Sequence, residues 1–298
     1  MHAVMAWGID FILWIQSMRT AGTDAFFRAV TQLGGVGHLW IVPALVWSLS
    51  YRIGTRVLLA MLVSAGINFG LKDLFAQPRP FELEPRIGPD REMGYGIPSG
   101  HAQHTAVEWA LVAAWLRRPW CTVAAGVLIA LIGFSRVYLG VHFPSDVLAG
   151  WGIAALLVWL QLRHGAALES ALAGMGTAQQ IAIAGGASLL FVLIYVLVPK
   201  TTWLVGTGGL FFGAGAGVAL CLRWLRPPEG GAWWQRLLRY VLGMVPLVMW
   251  VRFAGGWVPE VHDTAYFAII YLNCAVAGLW ITAGAPAAFQ ALRLTPAR

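Results

Sequence analysis

Charge is scarce in this chain. Of 298 residues, 20 are Lys or Arg and 13 are Asp or Glu, so charged residues make up 11% against 59% hydrophobic. A globular domain carries about 25% charged residues. With a mean hydropathy of +0.70, the chain cannot cover a water-facing surface with charge. This excludes an ordinary soluble protein and puts its outside against lipid. Cysteine is scarce too. Cys121, Cys221 and Cys274 sit within or at the ends of apolar segments, which excludes a disulfide framework, and they have no metal-ligand spacing. They read as buried, inert thiols. The net charge of +7 raises the question of nucleic acid, but the arginines are scattered in short loops, so no nucleic-acid partner is expected. A basic leader is also lacking at the N-terminus. The apolar stretch Ala3 to Ile15 is interrupted by Asp10 and reads as a retained, interfacial amphipathic helix, not a cleaved signal peptide.

What is present is a series of apolar segments near the roughly 20 residues a bilayer crossing needs. Nine candidate helices fall at about 33–50, 56–75, 99–116, 120–139, 144–162, 179–198, 202–222, 237–253 and 264–284. Gly34, Gly35 and Gly37 weaken the start of the first, and Pro246 interrupts the eighth. The prediction is an all-α integral membrane fold of about nine transmembrane helices. If the first helix runs inward, eleven of the 20 cations fall on one side, and the positive-inside rule makes that side cytoplasmic. The other side holds nine, among them Lys72, Arg79 and Arg136. Gly209, Gly213 and Gly217 recur at four-residue spacing in the seventh helix and predict a close helix–helix approach. Trp115, Trp120, Trp203 and Trp257 suit an interfacial belt.

Three short stretches place cations and imidazoles where apolar segments end: Lys72 to Pro80 (KDLFAQPRP), Pro98 to His101 (PSGH) and Ser135 to Asp146 (SRVYLGVHFPSD). A lysine point charge and a forked guanidinium hold phosphate oxygens in complementary ways. Ser99, Gly100 and His101 open a helix whose unpaired N–H groups favour an anion. His142 and Asp146 are four residues apart, so the carboxylate can hold one imidazole nitrogen and leave the other free to attack. Each residue alone also reads as an ordinary interfacial side chain. Together, three clusters on one side of a helical bundle read as a phosphate site.

The three stretches resemble the signature of the type 2 phosphatidic-acid phosphatase superfamily: a lysine six residues before Arg-Pro, then PSGH, then Ser-Arg with five residues before His and three more before Asp. The resemblance covers about residues 30–165. It implies that His142 is the nucleophile forming a phosphohistidine, that Asp146 orients it, and that His101 protonates the leaving oxygen. Lys72, Arg79, Arg136, Ser99 and the Gly100 amide are then the phosphate cradle, with no metal and no cofactor. The chain accordingly reads as an N-terminal interfacial segment (1–32), a five-helix phosphatase core (33–165) and a four-helix C-terminal extension of open role, which the signature does not explain (166–298). That layout looks like glucose-6-phosphatase and the sphingosine-1-phosphate phosphatases by helix count.

On the same reading the substrate is a lipid phosphate, the other partners are membrane lipids, and the oligomeric state is open. The setting is a multi-pass integral membrane protein, most simply of a bacterial inner membrane, with the site on the non-cytoplasmic face. Alternatives are a phosphotransferase using the same intermediate, a phosphatase of a soluble ester, and, from a different class, a transporter or channel. Around the site, Asn68 sits one turn before Lys72. His101, His104 and Glu108 share a face of the third helix, with Glu108 about 10 Å deeper at 1.5 Å per residue. An ionisable group at such depth suggests function, while a protonated, hydrogen-bonded packing role is the alternative. The segment 76–97, with Glu82, Glu84, Arg86, Asp90 and Arg91, reads as a lid or as a solvated loop. His262 and Asp263 are weaker candidates, and His2, His38 and His164 carry no pattern.

Overall fold

The structure is a computed structural model and describes residues 2–198, 202–258 and 263–295. Every regular element among the described residues is helical, apart from one lone antiparallel bridge between Ser50 and Glu229. Among the described residues, seven helices are long and apolar enough to cross a membrane. An eighth crossing results if the pair Ala21–Leu33 and His38–Leu49, bent by 43°, is a single broken span. The chain divides into two compact units, Met1–His38 with Ile67–Arg163, and Leu39–Gly66 with His164–Arg298.

In the first unit lie α1 (His2–Gln16), α2 (Ala21–Leu33), the last turns of α4 (Tyr51–Phe75), the short α5 (Pro80–Leu83), α6 (Gly100–Leu116), α7 (Pro119–Tyr138) and most of α8 (Pro144–Ala173). Its core joins Ile12 and Ile15 of α1 to Ile87, Ala102, Val137, Val141, Phe143 and Val147. Each large apolar side chain buried there contributes about 1.5–3 kcal/mol. Helix α1 sets Ile12 and Ile15 against this core while Trp7 and Trp14 stay exposed. It therefore belongs to the same unit as the site. Helix α2 starts where Thr20 caps it, its hydroxyl accepting from the Thr23 N–H in a reciprocal capping box. Gly34, Gly35 and Gly37 then end α2, and the next helix, α3 (His38–Ala44), starts at His38, not 33.

The second unit holds the rest of α4, α9 (Thr177–Leu197), α10 (Trp203–Trp224), α11 (Trp233–Ala254), α12 (Thr264–Leu279) and α13 (Ala285–Ala291). The glycine stripe of α10 faces α12 as its spacing predicts. A Cβ on Gly209 would lie 2.1 Å from the Tyr271 carbonyl, and one on Gly213 would lie 1.9 Å from that of Ala275. Only hydrogen lets the two backbones meet. Helix α11 runs through Pro246 without ending. A proline inside an apolar helix is tolerated where neighbouring side chains satisfy nearby backbone groups, and Trp280 Nε1 donates to the Gly243 carbonyl at 2.9 Å, one turn earlier. Helix α8 extends eleven residues past the end of its apolar run, to Ala173. There Glu169 pairs with Arg52 and Arg56.

Candidate active site

Five helix ends of the first unit supply the polar residues. Lys72 closes α4, Arg79 precedes α5, Ser99 caps α6 with Gly100 and His101 in its first turn, Arg136 closes α7, and Asp146 sits in the first turn of α8. The tight Leu139–Phe143 connection, with Gly140 at φ +73°, delivers His142. Helix α8 can approach the start of α6 because Gly150 has no side chain: a Cβ there would lie 2.8 Å from the Ser99 carbonyl. The Ser99 N–H donates to the Asp146 carbonyl at 2.9 Å, which ties the second sequence stretch to the third. Gln77 ties in the first, donating from Nε2 to Asp146 Oδ1 at 2.8 Å.

The geometry of His142 defines its protonation. Nδ1 lies 3.2 Å from Asp146 Oδ2, and Nε2 lies 3.2 Å from Arg79 Nη1. A guanidinium only donates, so Nε2 is the acceptor and the ring proton sits on Nδ1, donated to the carboxylate. The ring is almost wholly buried. Burial, followed by the charges of Lys72, Arg79 and Arg136, holds its pKa well below the usual imidazole value. The ring is thus neutral, with a lone pair on Nε2 facing the cations. Asp146 Oδ2 also accepts the Phe143 N–H at 3.0 Å, so the carboxylate is held from three directions.

Between the cations lies a group the motifs do not contain, the carboxylate of Glu92. Its Oε2 pairs with Arg79 Nη1 at 3.0 Å and with Arg136 Nη2, and lies 3.8 Å from His142 Nε2. Its Oε1 lies 3.7 Å from His101 Nδ1. Arg79, Arg136, His101 and His142, drawn from separate stretches of sequence, thus converge on one anion. The residues after Glu92 continue the pattern. The Met93 and Gly94 carbonyls accept from Arg79 at 2.9 and 2.7 Å. Those of Tyr95 and Gly96 accept from Lys72 Nζ, the latter at 2.9 Å. Arg136 Nη1 also donates to Thr31 Oγ1 at 2.6 Å. Ser99 Oγ and Arg136 Nε are buried with no hydrogen-bond partner. Gly35 makes room for His101, since a Cβ there would sit 2.8 Å from its Nε2.

The residues expected around the site are placed as follows. Asn68 is buried, donating to the Pro98 carbonyl at 3.2 Å and to Gln103 Oε1 at 2.9 Å, and so braces the start of α6. Glu108 is fully buried and paired through Oε2 with His38 Nδ1. His38 Nε2 is held by the Gly34 carbonyl at 2.9 Å, and the His38 and His104 rings are 6.3 Å apart. His38, which carries no sequence pattern, is thus the partner of the deep carboxylate. The 76–97 segment is ordered by its own charges. Asp90 pairs with Arg28 and Arg19 of the N-terminal region, and Glu84 pairs with Arg86. Asp263 caps α12 by accepting the Tyr266 N–H, and His262 lies outside the described residues. A cavity of about 390 Å³ is lined by Gln16, Arg19, Asp24 and Arg86, among others, and by none of the converging groups.

Cations and imidazoles gathered around one anion make a site suited to a phosphate. The PAP2 superfamily pattern matches residues 53–167, and that of the PAP2 superfamily phosphatase transmembrane extension matches 205–297. The chain belongs to the PAP2 superfamily. It is 33% identical to phosphatidylglycerophosphatase B of Bacillus subtilis over 160 residues, covering 49% of this chain and 73% of that protein. It is 28% identical over 176 residues to lipid phosphate phosphatase delta of Arabidopsis thaliana, covering 52% of this chain but 41% of the plant protein. Against glucose-6-phosphatase 3 of Mus musculus it is 28% identical over 232 residues, 69% of this chain and 66% of the relative. The chain therefore spans less than two thirds of the plant and mouse relatives. Of the helices after the core, which the three motifs leave unexplained, the match to the transmembrane extension covers α10 to α13 and leaves out α9.

Proposed function

We propose that this protein is a membrane-embedded phosphatase that hydrolyses a lipid phosphate through a phosphohistidine, without a metal. The observation that carries this reading is the His142 ring, pinned by Asp146 at Nδ1 with its Nε2 lone pair turned toward Arg79. The phosphate binds Lys72, Arg79, Arg136, the Ser99 hydroxyl and the Gly100 N–H, groups that neutralise charge spreading over the transferring oxygens. His142 Nε2 attacks phosphorus; the N–P bond forms as the P–O bond to the lipid breaks, and His101 protonates the departing alkoxide. A water then attacks the phosphohistidine with His101 as base. The N–P bond breaks, inorganic phosphate leaves, and His142 returns neutral. Asp146 stabilises the ring's positive charge in between.

On this reading nine helices cross the membrane, α6 among them, five in the catalytic core and four in the extension. The core faces the non-cytoplasmic side of the membrane, and the lipid tail stays in the bilayer while the headgroup reaches the cradle. The relatives' names favour glycerolipid phosphates, and the long overlap with a glucose-6-phosphatase makes a soluble ester the second substrate class to try. The test is phosphate release by the purified protein from a panel of phosphatidic acid, phosphatidylglycerol phosphate, a polyprenyl diphosphate and glucose 6-phosphate, with and without EDTA. Release from a lipid phosphate that survives EDTA and vanishes in His142→Ala supports the proposal. Full wild-type turnover by His142→Ala, or loss in EDTA restored by a divalent ion, contradicts it.

A further inference from the structure

We infer that Glu92 is a tethered competitor of the substrate, a built-in anion that occupies the phosphate position until a phosphate displaces it; the inference rests on the phosphate-site reading above. The first ground is placement. One carboxylate touches both Arg79 and Arg136 through Oε2 and stands 3.8 Å from the attacking nitrogen of His142 and 3.7 Å from His101 Nδ1. An oxyanion in transfer must stand against this same set. The second ground is that five consecutive residues supply acceptors to the cradle cations: the Glu92 carboxylate, the Met93 and Gly94 carbonyls on Arg79, and the Tyr95 and Gly96 carbonyls on Lys72. Two guanidiniums and an ammonium gathered this closely repel one another and need an anion. With no phosphate bound, residues 92–96 supply it.

The strap is built to hold and to release. Before Glu92, Ile87 is sunk in the core, the Gly88 N–H is held by Gln16 Oε1 at 3.0 Å, and Asp90 is clamped by Arg28 and Arg19. Beyond it, Met93 is 87% exposed and Gly94 adopts φ +77° with nothing within 4 Å of where a Cβ would be. The turn carrying Glu92 is thus anchored on its N-terminal side and open to solvent on its outer side. Gly94 absorbs the backbone change as the carboxylate swings out. Glu92 stays 30% exposed in its side chain even when seated, so water and phosphate can reach the cations it covers.

A competitor that must leave before substrate binds lowers every apparent affinity by the same factor, the fraction of time the site stands open, and leaves the chemical step alone. The experiment uses the full chain in detergent, comparing wild type, Glu92→Gln, Glu92→Asp and the control Glu84→Gln. Glu84 pairs with Arg86 outside the cradle. KM for the best lipid phosphate, kcat, and inhibition by orthovanadate are measured, with thermal unfolding to show that each variant is folded. The expected result is that Glu92→Gln lowers KM and the vanadate inhibition constant by one common factor of at least about threefold, with kcat within about twofold. Glu92→Asp falls between, and Glu84→Gln matches wild type. Unchanged or weakened binding in Glu92→Gln, or a collapse of kcat, overturns the inference while wild-type turnover leaves the phosphatase reading standing. A wild type that neither releases phosphate nor responds to vanadate removes that reading and this inference with it.

Discussion

Asp146 Oδ2 stands 3.2 Å from His142 Nδ1, and the other nitrogen of the same ring receives the Arg79 guanidinium at 3.2 Å. The carboxylate therefore does more than add charge: by taking the Nδ1 proton it leaves the Nε2 lone pair facing the cations. Asp146→Asn puts an amide N–H against one of the donors that now meet the carboxylate, and rotating the amide only moves the conflict. The ring then favours the tautomer with its proton on Nε2. We expect kcat to fall by about 10²-fold or more, as when an orienting carboxylate is lost in a hydrolytic triad, with KM little changed. Steady-state kinetics on the folded variant check this, and retention of more than half of kcat contradicts it.

The buried ring has a second consequence. A histidine in an unfolded chain titrates near 6.5, but burial and the three cations hold His142 well below that. A base with a lowered pKa stays neutral as pH falls through 6.5 and protonates only at more acidic values. Histidine-selective ¹⁵N NMR of the unliganded protein should therefore show His142 as the neutral Nδ1–H tautomer at about pH 5.5, one unit below the ordinary value. Titration at or above 6.5 contradicts the placement of the cations around it.

Glu108 depends on His38. Its Oε2 is paired with His38 Nδ1 and its Oε1 has no hydrogen-bond partner. Removing His38 strands a fully buried carboxyl, which costs about 1–3 kcal/mol. His38→Ala should lower the thermal unfolding midpoint in detergent, and pairing it with Glu108→Leu should recover part of the loss. Equal midpoints for His38→Ala and wild type would show that the pair contributes nothing.

Gly213 is fixed by contact and Gly126 is not. A Cβ at Gly213 meets the Ala275 carbonyl at 1.9 Å, whereas one on Gly126 of α7 meets nothing within 4 Å. Gly213→Ala should force α10 and α12 apart and lower the unfolding midpoint. Gly126→Ala should leave it unchanged or raise it slightly, since alanine is favoured over glycine in a helix by about 1 kcal/mol. The reverse order contradicts the packing.

That these cations and imidazoles come together was legible because their signal is local: they stand at fixed spacing around helix ends, where prolines and glycines mark the boundaries. The glycine stripe of α10 was legible for the same reason. Glu92 was not, since an acidic residue in a charged connection looks the same whether it faces water or, as here, Arg136, 44 positions away. His38 and Glu108 meet across 70 positions, and only the fold pairs them. Helix lengths depart from the apolar runs where apolar content and helicity part company. The turns of α8 beyond residue 162 are rich in Ala and Leu, good helix formers, so the helix outlasts its hydrophobic run. Helix α2 does carry a local sequence signal, the Thr20 capping box ahead of its first turn. The break after it was flagged by Gly34, Gly35 and Gly37, but its place at residues 34–37 became clear only with His38 starting the next helix.

The covalent step is the centre of the proposal, and trapping it tests that step most directly. Wild-type protein mixed with a lipid phosphate labelled with ³²P in the phosphoryl group, and quenched within milliseconds, should carry one acid-labile, base-stable phosphoryl group that mass spectrometry locates on His142. His101→Ala should accumulate it, because release to water then lacks its base, and His142→Ala should carry none. Turnover by wild type with no protein-bound phosphoryl group at any quench time, or an equal label on His142→Ala, would contradict the assignment of His142 as the nucleophile.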